Sequence, residues 1–412
     1  MKPRLRTVLY FFTAIFITAL LSVAATVTIM NLRRGDRVML DSGEYKSMNE
    51  LTPLMELMSA VENEHYGKPV SDGQMIEGAL RGAMQSLGDP YARYYTEQEY
   101  VKYLEQLDGA YHGIGALVGQ PEGQGVPVLK VYDDSPAEEA GLKVGDVLLS
   151  VDGTALKGLT MEEVEALFSG KDGTTLRVTL LRGGKEQTLP VTRGAGVTHR
   201  VSYRLLEQRT GYIRIDKFTG TAAEEFKEAL RDLTDRGMRS LVIDLRDNPG
   251  GELTQVTEIA DALLGEGIIV TVRGGGETED VYRSDKKSVR VPLAVIVNGN
   301  SASASEILAA AVQDSDSGVI VGEKTYGKGV VQTTMQLKSN GGWIKLTTAA
   351  YYTPSGRNVD GVGIEPDISV ELDKSVQDRI RLENLNLVDD ISDSDDAQLL
   401  AAVDKVREQA QR

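Results

Sequence analysis

Ser303, Lys328 and Gln332 are the residues of this chain whose types and spacing suggest acyl transfer. Ser303-Ala304-Ser305-Glu306 stands just before the apolar run Ile307 to Val312, so Ser303 reads first as the N-cap of a capping box. A helix start also aims free amides and the positive dipole end at whatever binds there. If Ser303 is a nucleophile, the Ala304 amide could therefore help hold an oxyanion. A serine nucleophile needs a base. The histidines, His65, His112 and His199, stand far apart in the sequence, which makes lysine the natural candidate. Lys328 lies between Gly327 and Gly329 and leads into Val330, Val331 and Gln332. As a strand, period 2 would put Lys328, Val330 and Gln332 on one face, where Gln332 could accept a hydrogen bond from the lysine. Burial would lower the lysine pKa by disfavouring the ammonium, whereas an ordinary solvated lysine is the bland reading. The glycines of Asn248-Pro249-Gly250-Gly251 could bring amides close to a reacting carbonyl, or simply form a tight turn.

The rest of the chain must position these groups. Its 412 residues suffice for two or three domains. The net charge of -16, with no basic patch interleaved with aromatics, disfavours a nucleic-acid partner. The absence of cysteine excludes disulfides and thiolate chemistry, and three scattered histidines make a metal site an unlikely expectation. Lys2, Arg4 and Arg6 precede an uncharged run from Thr7 to Leu32, with Arg33 and Arg34 beyond it. At about 1.5 Å per residue, that run exceeds a hydrocarbon thickness of about 30 Å. A retained transmembrane anchor is expected, with an export signal cleaved near Val23-Ala24-Ala25 as the alternative; either places the bulk outside the cytoplasm.

Leu51, Leu54, Met55, Met58 and Val61 recur at helical spacing. A second helix is expected from a Ser71-Asp72 cap through Met84, ending near Gly88-Asp89-Pro90; the pair would form a packed subdomain or an oligomerisation arm. Between Tyr111 and Val191 come short, glycine-punctuated strands and one helix, Met161 to Phe168, with Thr160 and Glu163 as a capping box. After Arg193, strands at Thr210 to Phe218, Ser240 to Leu245, Ile268 to Arg273 and Leu293 to Val297 alternate with helices at Ala222 to Asp235 and Leu253 to Leu264. That alternation argues for βαβ units with functional loops at the strand ends. Trp343 to Val359 looks like paired strands closing at a Pro354 turn, followed by an acidic linker near Asp389 to Asp396 and a helix from Gln398 to Ala410.

The middle segment resembles a PDZ domain: Gly113-Ile114-Gly115-Ala116 matches the carboxylate-binding loop, Ser135 to Gly153 the central signature and Met161 to Phe168 the groove helix, where Val164 and Leu167 would line a pocket or merely pack in the core. The ordered set of that signature, LVIDLRDNPGG, NGNSASASEILAAAVQD, VGEKTYGKGVVQ and YYTPSGRNVDGVGIEPDI is similar to the carboxyl-terminal processing peptidases, the tail-specific proteases of the S41 type. The resemblance implies an α/β, crotonase/ClpP-like βαβ protease core with an inserted PDZ domain and an N-terminal helical arm, to which the apolar run Thr7 to Leu32 adds the expected transmembrane helix. It implies Ser303 as nucleophile, Lys328 as base, Gln332 as its orienting partner, and amides of Ala304, Gly250 and Gly251 as the oxyanion hole. It also implies protein substrates bound by apolar C-termini, no cofactor or metal, and, as in some members, a homodimer through the N-terminal helices and the C-terminal segment. The expected boundaries are 1–34 for the anchor, 35–107 for the helical region, 108–194 for the PDZ domain, 195–385 for the peptidase core and 386–412 for the C-terminal segment. One departure stands out: an arginine that relatives carry after the groove helix is Ser169 here, with Lys171 and Arg177 as conceivable substitutes. The rivals are a silent PDZ scaffold or chaperone and a crotonase-like acyl-CoA enzyme; the serine, lysine and glutamine oppose the first, the PDZ insertion and apolar N-terminus the second.

Overall fold

The computed structural model describes residues 13, 15–27, 42–108, 110–121, 123–132, 134–197, 199–275, 278–286, 288–384 and 395–411. It divides into two compact units, Met1–Gly82 and Ala83–Arg412. In the first, the helix Thr52–Glu64 forms where the periodicity of Leu51 to Val61 predicts one, a further helix, Ser42–Glu50, precedes it, and the apolar Leu51, Met55 and Leu57 stay exposed. Ser71 starts the helix Asp72–Gln85, which continues into the second unit: its hydroxyl accepts from the Gln74 amide at 3.3 Å while Gln74 Oε1 accepts from the Ser71 amide at 3.0 Å. Of the apolar run Thr7 to Leu32, residues 13 and 15–27 are described and are helical. Among the described residues, no helix is long and apolar enough to cross a membrane. The remainder of the run, and most of the acidic linker, lie outside the described residues.

In the second unit, the PDZ-like insertion has strands in the order Ala116–Val118, Val126–Val131, Val147–Val151, Thr175–Arg182 and Lys185–Thr192, with Thr154–Ala155 on the third. Its core gathers Ile114, Val126, Leu148, Val164, Leu176 and Leu180. The chain enters through Ala110–Gly113 and leaves through Gly194–Val197, and these two short strands pair antiparallel as a neck.

The protease-like core is built on a six-stranded sheet ordered Val201–Leu205, Thr210–Ile215, Ser240–Asp244, Leu293–Val297, Val319–Gly322 and Ile368–Ser369. All neighbours are parallel except the first pair. Period 2 sorts the side chains: Leu241, Ile243, Val295 and Val297 join the helices Ala222–Asp235, Leu253–Leu263 and Ala304–Asp314 in one cluster. Val242, Ala294, Ile296 and Val321 meet Leu399, Ala402, Val403 and Val406 of the helix Ala397–Ala410 in another. Ser240–Asp244 and Leu293–Val297 are buried throughout, as expected for central parallel strands covered on both faces. A second sheet contains Arg93–Tyr95, Trp343–Tyr352, Gly267–Gly274 and Glu279–Ser284, with Val330–Gln336 also paired to Trp343–Tyr352. The expected pair of strands after Trp343 is instead one ten-residue strand with three partners; only the turn at Pro354 folds back, through a bridge between Tyr352 and Asn358.

Candidate active site

Parallel strands deliver their following loops to one end of a sheet. Three such loops meet here: 245–252 after Ser240–Asp244, 298–303 after Leu293–Val297 and 323–329 after Val319–Gly322. Ser303 sits at the start of Ala304–Asp314 with φ 55° and ψ -112°, a conformation that costs a non-glycine residue about 1–3 kcal/mol and persists only when its surroundings over-determine it. They do so through Glu306. Its Oε2 accepts from the Ser303 amide at 2.8 Å, the reverse half of a capping box. The forward half is looser: the Glu306 amide donates to the Ser303 carbonyl at 2.9 Å, with the side-chain oxygen of Ser303 only a weak second acceptor.

The same carboxylate organises the lysine loop. Oε2 also accepts from the Lys328 amide at 2.8 Å, while Oε1 accepts from the Gly327 amide at 2.7 Å and the Thr325 hydroxyl at 2.6 Å. Glu306 is fully buried, so these four donors replace its hydration. Tyr351 adds a second bond between the loops, its hydroxyl lying against the carbonyls of Lys328 and, at 3.2 Å, Ser303. Burial, with Glu306 and Asp360 nearby, pushes the Tyr351 phenol well above its usual range, so it remains a donor. Gly327, at φ +89°, takes a left-handed turn that a side chain would strain. Glutamate three residues after Ser303 was visible as a capping partner; its reach across to residues 325–328 had no signal in the spacing, nor did Tyr351.

Lys328 is half-buried, and its ammonium is disfavoured first by burial and then by Lys345; Glu306 and Asp89 pull the other way. The net shift is downward, toward a neutral amine. Lys345 is itself lowered, by burial and by Arg93. The expected one-faced alignment with Gln332 does not form. The strand begins only at Val330, so Lys328 lies in the loop before it and the period-2 relation does not extend to the lysine; opposite Gln332 the partner strand carries one extra residue, Thr348. Gln332 Nε2 instead donates to Thr347 Oγ1 at 3.3 Å, and among the described residues no hydrogen bond joins Gln332 to Lys328.

The Asn248–Gly251 turn is stitched to the serine loop. The Asn248 carbonyl accepts from the Ala302 amide at 3.0 Å and the Ser305 hydroxyl at 2.9 Å, and Asn298 and Asn300 both donate to Asp247. Gly250, at φ +99°, packs so closely that a Cβ there would lie 2.8 Å from Ser303 Cβ and 2.9 Å from the Ala304 nitrogen, which only glycine permits. All three expected oxyanion residues are therefore in one place, but not all as donors. The Gly250 amide is taken by Asn248 Oδ1 at 2.9 Å, whereas among the described residues the amides of Gly251 and Ala304 donate no hydrogen bond. Behind the turn, Arg246 is buried against Asp244 at 2.5 Å and Asp396 at 2.8 Å, with Arg214 donating to its carbonyl at 3.1 Å. Against the upward push of burial, Arg246 and Arg214 hold the Asp244 carboxyl far below its usual range.

In the PDZ-like insertion, Gly113 belongs to the neck, paired with Gly194, rather than to the loop formed by Ile114 and Gly115. Ala116 opens the strand beside the groove. Val164 is fully buried in the core and offers no surface to a ligand; Leu167 is half-buried beside it. Lys171 and Arg177 are exposed at the surface. The guanidinium that meets the end of the groove helix is that of Arg193, donating to the carbonyls of Leu167 at 2.8 Å and Phe168 at 2.9 Å.

Residues 209–370 match peptidase family S41 and residues 104–192 match a PDZ domain. The chain is 34% identical over 360 residues to a CtpA-like serine protease of Staphylococcus haemolyticus, covering 86% of this chain and 70% of the relative. It is also 34% identical over 379 residues to a carboxy-terminal-processing protease of Bartonella bacilliformis, covering 89% and 83%. The carboxy-terminal processing protease CtpA of Bacillus subtilis is 30% identical, with 87% and 77% covered. Among solved structures, an S41 protease from Bacteroides fragilis shares the fold at a TM-score of 0.53 and 16% identity, covering 91% of this chain and all of that one.

Proposed function

Because the chain belongs to peptidase family S41, as a C-terminal processing serine protease with a PDZ domain, we propose that Ser303 and Lys328 form its catalytic dyad and that it cleaves extracytoplasmic proteins after binding their apolar C-termini. The observation that supports this reading is the Glu306 carboxylate, which accepts from the amides of both Ser303 and Lys328 at 2.8 Å and so ties the backbone of the serine to that of the half-buried lysine. Neutral Lys328 takes the Ser303 proton as Oγ attacks the peptide carbonyl. The open amides of Ala304 and Gly251 receive the oxyanion, with Gly250 as the close-packed residue between them. The protonated lysine then gives its proton to the leaving amine, and water, deprotonated by the same lysine, releases the acyl-enzyme. None of these steps requires a metal or cofactor. A silent scaffold would need neither a lowered lysine pKa nor a strained serine beside free amides.

The PDZ domain would take the substrate terminus as an added strand, its carboxylate at the Ile114-Gly115-Ala116 amides and its last side chain against Leu167. The basic residues flanking Thr7 to Leu32 support a single-pass anchor with the protease outside the cytoplasm; release of the full chain from membranes by alkaline carbonate would sink this placement. Exposed Leu51, Met55 and Leu57 support a homodimer through the arm, which light scattering in detergent would contradict by giving a monomer mass. The decisive test of the dyad is hydrolysis of an unfolded reporter with an apolar C-terminus by the full chain. Ser303→Ala should abolish it, and equal turnover by that variant would end the proposal.

A further inference from the structure

Among the described residues Lys328 Nζ has no hydrogen bond; what it meets is the face of Tyr91, 4.4 Å from the ring centroid. Tyr91 comes from the Gly88-Asp89-Pro90-Tyr91 segment, far away in sequence and rigidly held. Asp89 Oδ1 accepts from the Tyr91 amide at 2.8 Å, and the Asp89 carbonyl accepts from the Ala92 amide at 3.2 Å. The Asp89 carboxylate also hydrogen-bonds Thr347, the residue that receives Gln332. Directly after Tyr91, Arg93–Tyr95 pairs with Trp343–Lys345 of the second sheet, and the Tyr91 hydroxyl meets that of Tyr326. The ring is thus fixed at both ends, while the glutamine expected to orient the lysine is engaged elsewhere.

We propose that Tyr91 is a positioning residue for the general base: its ring face orients Lys328 Nζ and stabilises the ammonium that forms there during acylation. This rests on the Ser303 and Lys328 reading. As the Ser303 O–H bond breaks, its proton and a positive charge arrive on Nζ, the Oγ–C bond forms and the carbonyl π pair moves to oxygen. When the tetrahedral intermediate collapses, the C–N bond breaks and the proton passes from Nζ to the leaving nitrogen. Lys328 is therefore neutral before attack and cationic through the intermediate. A ring quadrupole attracts the cation and not the amine. Its stabilisation appears with the transition state, so it raises kcat rather than lowering KM.

The test uses the full chain with Tyr91→Phe, Tyr91→Leu and, as a control on the dyad itself, Ser303→Ala. Phenylalanine keeps the ring and should hold kcat within about threefold of wild type, as expected for loss of one hydroxyl contact, that with Tyr326. Leucine keeps apolar bulk but no quadrupole, and should lower kcat about 5- to 30-fold with KM little changed. The acid limb of its kcat/KM profile should move to lower pH, because the ammonium loses a stabilising partner. A series of increasingly fluorinated phenylalanines at position 91 keeps the shape while draining the quadrupole, and kcat should fall along it even where leucine is not tolerated. A flat fluorination series, or a leucine variant with wild-type kcat and an unmoved acid limb, overturns the proposal. Those results with an inactive Ser303→Ala variant would leave the dyad standing, whereas an active Ser303→Ala variant would bring down the dyad reading on which it rests.

Discussion

Glu306→Gln isolates the bond between the two catalytic loops, because it keeps the side chain's shape and removes its charge. The carboxylate accepts four hydrogen bonds in a fully buried site: the Ser303 and Lys328 amides on Oε2, the Gly327 amide and the Thr325 hydroxyl on Oε1. Glutamine can place its oxygen at only one of those positions. With the oxygen at Oε2, the new NH2 faces the Gly327 amide, donor to donor; the Thr325 hydroxyl can turn to accept from it, although Thr325 already accepts from Ile364 at 2.7 Å. With the oxygen at Oε1, both the Ser303 and Lys328 amides are orphaned, so the first orientation is favoured. It leaves one buried N–H without an acceptor, a loss of about 1–3 kcal/mol, and converts two charge-assisted bonds to neutral ones at about 1 kcal/mol each. The sum is about 3–5 kcal/mol. Since the bonds concerned fix the backbone of Ser303 and Lys328, the proposed nucleophile and base, we expect kcat to fall about 30- to 300-fold, with the remainder appearing as lost stability. The variant carries a second signature. Glu306 favours the Lys328 ammonium, so its loss lowers that pKa further and shifts the acid limb of kcat/KM toward lower pH. Steady-state hydrolysis of a peptide across pH, with thermal unfolding alongside, measures both. A variant with lowered Tm but wild-type kcat and an unshifted limb would refute the clamp and leave Glu306 as a plain structural cap.

Two further outcomes follow from charges around the site. Lys345→Met keeps an apolar stem but removes a like charge that disfavours the Lys328 ammonium; the Lys328 pKa should rise, the acid limb should move to higher pH, and kcat/KM near neutrality should fall, with an unmoved or downward-moving limb counting against the coupling. Asp396→Asn leaves Arg246 buried with one charged partner fewer and should destabilise the fold by about 2 kcal/mol, read as a lower denaturation midpoint at unchanged slope. Asp244, whose folded pKa is depressed, contributes stability that is present above the unfolded carboxyl pKa and is lost as pH falls through the folded value, so acid unfolding in the Asn variant should begin within the same low-pH window rather than near neutrality.

The alternation of strands and helices after Arg193 was legible because each signal is local: continuous apolar runs for strands buried on both faces, 3.6 periodicity for the helices between them, and glycine turns at the strand ends. Ser303 and Lys328 could be singled out for the same reason, since a capping box and a glycine-flanked lysine are short patterns. What failed was inference across an irregularity. The Gln332 reading assumed a strand that already included Lys328, whereas the strand starts at Val330 and Gln332 meets Thr347 on its neighbour. Val164 could not be told apart from a pocket wall, because groove and core face the same helix stripe. Glu306, Tyr351 and Tyr91 act over long sequence separations, where the pairing that brings them together leaves no periodic trace.

The buried charges behind the glycine turn have a physical rationale in the same terms. Replacing ion pairs such as Arg246 with Asp244 and Asp396 by apolar groups often costs a protein nothing, so stability alone gives little reason to place them there. Their geometry gives a better one. Arg246 immediately precedes Asp247 and Asn248, and its guanidinium is fixed by Asp244 of its own strand and by Asp396, the N-cap of the helix Ala397–Ala410. Its carbonyl is held by Arg214 of the neighbouring strand. The turn therefore leaves the sheet from an anchored residue, with Asp247 at φ 59° and Gly250 pressed against Ser303. An apolar residue at position 246 could fill the same volume but could not fix direction, since dispersion contacts are not directional while a guanidinium fork is. Gly250 meets Ser303 and the Ala304 nitrogen closely because the glycine turn and the serine loop are each anchored: one by this ion network, the other by Glu306.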